Sequence, residues 1–286
     1  MTRAENITLA CSAAIGLIVA VATMARGSTH ADPATAGYGQ QLLAHTSELM
    51  PASVGVRMAC ASCHLGDGAE PGTLSLATSF HRYPRTSPRS NANETIEDRI
   101  NGCMMRSMNG RALPESSVEM RAMIAWLRFL SNQDAAEDAA SRAAHEPAAF
   151  KTPSRAADPG AGRRVYESRC ASCHASDGDG LAQVFPPLWG AHSFNDGAGT
   201  NRVLTAAKFI KAKMPLGRPD LTDDEAFDVS GFINTQERPH MAGLEADYPD
   251  RAKKPVDTPY GPYADPFPIE QHRLGPFGPI EAFYKK

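Results

Sequence analysis

Two identical pentapeptides stand out in this 286-residue chain, Cys60-Ala61-Ser62-Cys63-His64 and Cys170-Ala171-Ser172-Cys173-His174, 110 residues apart. C-x-x-C-H is the attachment signature of c-type haem. Cysteines at i and i+3 project from one helical turn and form thioethers with the two vinyl groups, and the His that follows reaches the iron as its proximal ligand. A C-x-x-C redox pair, or a zinc site assembled from all four cysteines, leaves unexplained why a His follows each second cysteine. The spacing therefore implies two covalently bound c haems.

The chain holds six cysteines, and Cys11 lies early in an uncharged run, Asn6 to Ala25, between Arg3 and Arg26. That run reads as an export signal or an N-terminal anchor over residues 1–31, which places the protein in the periplasm. Removing it leaves five cysteines, an odd number. Cys103 is then the single thiol outside the attachment motifs. With 42% hydrophobic and 21% charged residues and a net charge of −3, the chain fits neither a disordered protein nor a basic one that tracks nucleic-acid phosphates.

The elements that must position these residues also repeat. Asp158-Pro159 reads as a helix N-cap with Pro at the first helical position, and Gly162, Val165 and Tyr166 lead into the second motif. Gly37-Tyr38-Gly39 with Leu42 and Leu43 plays the same part before the first. Downstream, Ser116 to Glu119 and Thr222 to Glu225 both fit the capping box S/T-x-x-E and open amphipathic helices. A helix before the haem motif and another at the end of the unit is the plan of an all-α fold of two tandem cytochrome c domains. They cover residues 33–132 and 155–240, joined by a linker over 133–157 rich in Ala and charge. The last 48 residues hold nine of the 22 prolines and seven of the 20 aromatics, which predicts an extended C-terminal segment over 241–286 lying across the domains.

What fills the open face of each haem separates a carrier from an enzyme. His64 to Cys103 spans 39 residues and so does His174 to Lys213, so Cys103 aligns with Lys213 and Met104 with Met214. At the first haem Cys103 is the favoured distal ligand, with Met104, Met105 and Met108 competing and a buried apolar role as the alternative. At the second, Met214 is the natural ligand of a carrier. Lys213 competes only after losing a proton from an ammonium whose usual pKa is about 10.4. Ferric iron accepts an amine and ferrous iron prefers sulfur, so one reading is an exchange from Lys213 to Met214 on reduction, and the other is Met214 throughout with Lys213 a solvated side chain. Between residues 82 and 111 lie Arg82, Arg85, Arg89, Arg99, Arg106 and Arg111 against Glu94, Glu97 and Asp98, a net charge of +3. Arginines recognise oxyanions by paired hydrogen bonds. A free thiol, a haem and an arginine cluster together point to a small sulfur-containing dianion.

These stretches resemble the two-haem thiosulfate dehydrogenases that form tetrathionate. The likeness rests on Arg99-Ile-Asn-Gly-Cys103 with Arg106-Ser107-Met108-Asn109-Gly110, on Phe185-Pro-Pro-Leu-Trp-Gly190 with Ser193-Phe194-Asn195, on Lys213-Met214-Pro215, and on the tail from Tyr248 to Pro255 and from Gly261 to Pro268. The resemblance implies a His/Cys active-site haem (His64, Cys103), a second haem (His174 with Lys213 or Met214) that relays electrons, and substrate held by Arg89, Arg99 and Ser107. It also implies coupling of two thiosulfates to tetrathionate, reversible in some members. The electrons would go to an external acceptor such as a small cytochrome c or an iron–sulfur protein, and no nucleic acid is involved. Two other readings stay open on the sequence, a non-catalytic two-haem electron-transfer protein and a sulfur-oxidation cytochrome acting on a carrier-bound thiol.

Overall fold

The computed structural model describes residues 35–136, 149–182 and 184–285. The export segment over 1–31 and most of the linker lie outside the described residues. In the first domain α1 (Ala36–Ala44), α2 (Thr46–Leu49), α3 (Ile96–Arg106) and α4 (Val118–Ala136) surround one core. The second domain holds α5 (Pro159–Arg169), α6 (Ala171–His174), α7 (Val203–Lys213) and α8 (Asp223–Asn234). Two short helices, α9 (Ile269–Leu274) and α10 (Gly278–Tyr284), close the chain. The only sheet among the described residues is a two-residue antiparallel ladder, β1 (Arg85–Thr86) with β2 (Asn93–Glu94).

Both domains are built on one helix crossing. A glycine lets α1 lie directly on α4, and another lets α5 lie directly on α8. A Cβ on Gly39 would sit 2.0 Å from the Ala122 carbonyl oxygen, and one on Gly162 would sit 2.0 Å from that of Asp228. In both cases the next neighbour is the Cβ four residues further on, of Trp126 or Phe232. The sequence repeat around these glycines is therefore a repeat of packing, since no larger residue lets two backbones approach so closely.

The helix starts follow the local chemistry. Asp158 caps α5, its Oδ1 accepting from the N–H of Gly160 at 2.8 Å and of Ala161 at 3.1 Å. Thr222 and Glu225 form the expected capping box on α8. The box expected at Ser116 does not form. The cap of α4 is Ser117, whose Oγ accepts from Met120 N–H at 3.1 Å, which puts Met120 and not Glu119 at the third helical position. A further box opens α3, where Thr95 Oγ1 accepts from Asp98 N–H and Asp98 Oδ2 accepts from Thr95 N–H. Aspartate does there what the sequence pattern assigns to glutamate.

The domains interlock. Phe194 and Ala198, from the second domain's sequence, are buried in the first domain's core. Next to them Asn195 Nδ2 donates to the Met105 carbonyl at 2.8 Å and to Asn109 Oδ1 at 3.1 Å. The C-terminal segment bonds to both domains. Asp247, buried, accepts from Arg89 at 2.7 Å, Arg106 at 2.8 Å and the Tyr260 hydroxyl at 2.7 Å. Asp257 accepts from Arg202 and from Leu204 N–H, and Phe277 packs on Phe227 in the second domain. The segment is not uniformly extended: it makes 3-10 turns at Leu244–Ala246 and Arg251–Lys253 before the two short helices at its end.

Two outcomes follow from this packing. Gly39→Ala or Gly162→Ala should each lower the unfolding free energy of the haem-loaded protein by about 1–3 kcal/mol in denaturant titration, because two helix backbones must part. Gly37→Ala should be near neutral, as its Cβ would meet only Thr35 Oγ1 at 3.9 Å. Asp247→Ala should cost about 2 kcal/mol or more, since it strips two arginines of their shared carboxylate. A variant as stable as the parent would show that the cluster contributes nothing.

Candidate active site

The first attachment motif makes a tight turn. Cys60–Ser62 is a single 3-10 turn, and His64 N–H donates to the Cys60 carbonyl at 2.9 Å, which brings both cysteines and the imidazole to one side. Thr46, fully buried, receives Cys60 N–H at 2.9 Å and fixes the start of the turn. His64 Nδ1 lies 2.6 Å from the Leu74 carbonyl oxygen. That acceptor requires the proton on Nδ1 and leaves the Nε2 lone pair free to ligate a metal. Burial pushes the His64 pKa down, so the ring is neutral and competent as a ligand at neutral pH.

The second motif repeats the geometry as part of α6. His174 N–H donates to the Cys170 carbonyl at 2.9 Å, and His174 Nδ1 lies 2.9 Å from the Pro186 carbonyl oxygen. Burial lowers this pKa as well. Met214 ends α7 as its C-cap and, like Cys170 and Trp189, packs against the core cluster that contains Tyr166 and Phe232. Both sites thus hold a neutral imidazole by one nitrogen and leave the other for iron. The residues fit a haem in each domain.

A cavity of about 760 Å³ opens beside the first motif. Its size suits a cofactor with room for a small substrate. Cys60 and His64 line it together with apolar Leu43, Ile96, Ile100 and Leu127. Burial pushes the Cys60 thiol up to about 11 and the Cys63 thiol up to about 12, so neither is a thiolate nucleophile. That suits sulfurs used for covalent attachment.

One face of α3 closes the cavity. Arg99 and Cys103 lie one turn apart on it, at i and i+4, and Ile96, Ile100 and Met104 share the wall. Charge interaction with Cys103 is the main reason the Arg99 guanidinium is pushed above its usual range. Among the competing methionines, Met104 lines the cavity, Met108 is buried outside its lining, and Met105 is exposed.

The arginines divide into two groups. Arg82, Arg85 and Arg99 line the cavity. Arg85 pairs with Glu94 across the small sheet at 3.1 Å and lies over the Tyr83 ring. Arg89 and Arg106 are bound to Asp247, and Arg111 donates to the Ala52 carbonyl. Ser107 caps the end of α3, its N–H donating to the Cys103 carbonyl. Of the three residues that the resemblance assigns to substrate, the structure brings Arg99 to the cavity and places Arg89 and Ser107 outside its lining.

Lys213 also has a defined place. Its Nζ donates to Glu70 Oε1 at 3.0 Å and to the Pro71 carbonyl at 2.8 Å, both in the loop after His64. The sequence reading missed Glu70, Tyr83 and Asp247. It also missed the Leu74 and Pro186 carbonyls, which are backbone groups without a sequence signature.

Two family models match the chain, "SoxA/TsdA, cytochrome c domain" over residues 52–135 and "Cytochrome C oxidase, cbb3-type, subunit III" over residues 157–233. Two cytochrome c domains, each with an attachment motif, give two covalently bound c haems. A thiosulfate dehydrogenase of Psychrobacter arcticus is 36% identical over 74% of this chain and 66% of its own length. One of Allochromatium vinosum is 42% identical over 70% of this chain and 77% of its own length. A solved thiosulfate dehydrogenase (TsdBA) from Marichromatium purpuratum, in its "as isolated" form, superposes with a TM-score of 0.64 at 31% identity. That match covers 71% of this chain and 46% of the longer one. The chain thus spans just under two thirds of the Psychrobacter arcticus relative and less than half of the solved chain. Its two glycine crossings, its paired imidazole sites and these matches agree, and the chain belongs to the thiosulfate dehydrogenase family.

Proposed function

We propose that this protein oxidises two thiosulfates to tetrathionate at Cys103 and passes the electrons through its second domain to an external acceptor protein. The observation that carries this reading is that Cys103 shares one cavity with His64 and with three arginines. In this reading His64 Nε2 and Cys103 would hold the first iron, and His174 with Lys213 or Met214 would hold the second. Each haem, when bound, supplies a one-electron sink.

The chain's own residues account for the remaining steps. Thiosulfate carries two negative charges, and Arg99, with Arg82 beside it, holds the sulfonate end by charge-assisted hydrogen bonds. This leaves the sulfane sulfur facing Cys103, one helical turn away. With Cys103 displaced from the iron it would otherwise hold, a bond between its Sγ and that sulfur converts thiolate and thiosulfate into a cysteine S-thiosulfonate and releases two electrons. No proton moves. A second thiosulfate then attacks the sulfane sulfur bonded to Cys103, as in thiol–disulfide exchange, and tetrathionate leaves as the Cys103 thiolate is restored. Charges balance in both steps, and the two electrons match two haems. Arg89 and Ser107 join this set through the family resemblance, with Arg89 oriented by Asp247. The reverse reaction uses the same groups. Export to the periplasm, where c haem is attached and a thiol persists when it is masked or used, completes the reading; no helix of the described residues is long and apolar enough to cross a membrane.

Cys103→Ala should keep both haems attached, seen by haem staining after denaturing electrophoresis, and lower thiosulfate-dependent ferricyanide reduction by at least about a thousandfold. Retained turnover would refute the role of the thiol. Arg99→Ala should reduce kcat/KM for thiosulfate by about 10- to 100-fold, the worth of one charged hydrogen-bonding pair. An unchanged value would move anion binding to other residues.

A further inference from the structure

The cavity beside Cys103 carries more cationic groups than one thiosulfate needs. Arg99 shares a helix face with Cys103, and Arg82 and Arg85 enter from the chain ahead of α3. Of these, Arg85 has the built seat. Its backbone lies opposite Glu94 in the β1–β2 ladder, and its Nε donates to Glu94 Oε2 at 3.1 Å. Its guanidinium carbon stands 4.9 Å from the centre of the Tyr83 ring. Tyr83 lies two residues earlier in extended backbone, where residues two apart point to the same side. The ion pair uses Nε and the ring covers one face, which leaves both Nη groups to donate at the cavity. Among the described residues no protein acceptor meets them. Tyr83 also stands between this arginine and Arg99. Burial raises the Tyr83 pKa against the pull of the Arg99 and Arg85 charges, so the ring is neutral with a cation on either side.

We infer that Arg85 holds the sulfonate of the second thiosulfate, and hence one end of the tetrathionate made from it, while Arg99 holds the other end across Tyr83. The inference rests on the proposed coupling of two thiosulfates and adds the seat which that coupling requires. A thiosulfate has one sulfonate and fills one seat. Tetrathionate carries a sulfonate at each end of its sulfur chain and needs two, set apart. From Arg85 the second thiosulfate aims its sulfane sulfur at the sulfane sulfur already bonded to Cys103. A bond forms between those two sulfurs, the bond to Cys103 Sγ breaks, and its electron pair stays on Sγ as thiolate. Charge balances, and no electron reaches a haem in this step. Holding both partners in one cavity makes the exchange a reaction between neighbours.

The test titrates the haem-loaded full chain with tetrathionate and with thiosulfate by isothermal calorimetry. All variants carry Cys103→Ala, so that the proposed bond to the thiol cannot form, and Glu94→Gln, so that no unpaired carboxylate repels the anion. Adding Arg85→Gln should raise the Kd for tetrathionate about tenfold, the worth of one charge-assisted contact. The Kd for thiosulfate should stay within about twofold, because its seat at Arg99 is intact. Arg85→Lys, which keeps the charge and loses the paired donors, should fall between, and an intact haem spectrum shows that each variant is folded. Unchanged tetrathionate affinity, or an equal loss for both anions, would overturn the assignment. So would a shift in the first haem's potential with anion binding intact, the result expected if the guanidinium meets a haem propionate instead. The coupling itself is read separately, as the thiosulfate adduct on Cys103 by mass spectrometry of the otherwise unaltered chain. No adduct there defeats the reaction and the seat with it, whereas loss of two-ended binding alone defeats only the seat.

Discussion

Each haem-facing imidazole in this fold has two nitrogens, and only one can face iron. The other needs a hydrogen-bond acceptor that holds the ring at a fixed angle, and here a backbone carbonyl provides it in both domains: Leu74 for His64 and Pro186 for His174. This requirement shapes the chain around the motifs. The loop after each His must travel away and return with one carbonyl aimed at Nδ1, and in the first domain that loop becomes the wall of the cavity. The helix crossing behind it, closed at a glycine, keeps the motif's turn from shifting as the loop returns.

The first domain departs from a carrier at α3. Its capping box, Thr95 with Asp98, sets the start of the helix, so the phase of every later residue is fixed. Arg99 and Cys103 therefore face the cavity together. At the far end of the same helix, Arg106 is tied to Asp247, and its carbonyl and that of Met105 are bonded by Asn195. The far end of the helix that carries the thiol is held by elements that the first domain does not itself contain. Such bracing suits the role proposed for Cys103, whose sulfur would meet substrate at a fixed place.

Much of this was legible in the sequence because it rests on residue identity at short range. The twin motifs, the Asp158-Pro159 cap and the Thr222 box all operate within a few turns of chain or by simple repetition. Longer-range choices were not. Six arginines look alike on paper, yet three line the cavity and two serve Asp247, a carboxylate 141 residues beyond Arg106. Lys213 likewise reads as a neighbour of Met214, and its partner is Glu70, 143 residues upstream. Tertiary pairing of this kind leaves no periodicity for a local pattern to register. The misplaced cap at Ser116 has a smaller cause: two serines stand side by side, and the helix starts from the second.

The interlock of the domains bears on how such a protein can be remodelled. Phe194 sits in the first core, and Asp247 and Asp257 carry the tail from one domain to the other. Two haem units in tandem suggest cassettes that recombination could exchange freely. Here the boundary in sequence is not the boundary in space. A different cytochrome grafted in place of residues 155–240 would remove an aromatic from its neighbour's interior and break the tail's hold on Arg202 and Phe227. The second unit is inherited with the first, and new electron routes are more easily gained by adding a further unit outside this pair than by replacing one within it.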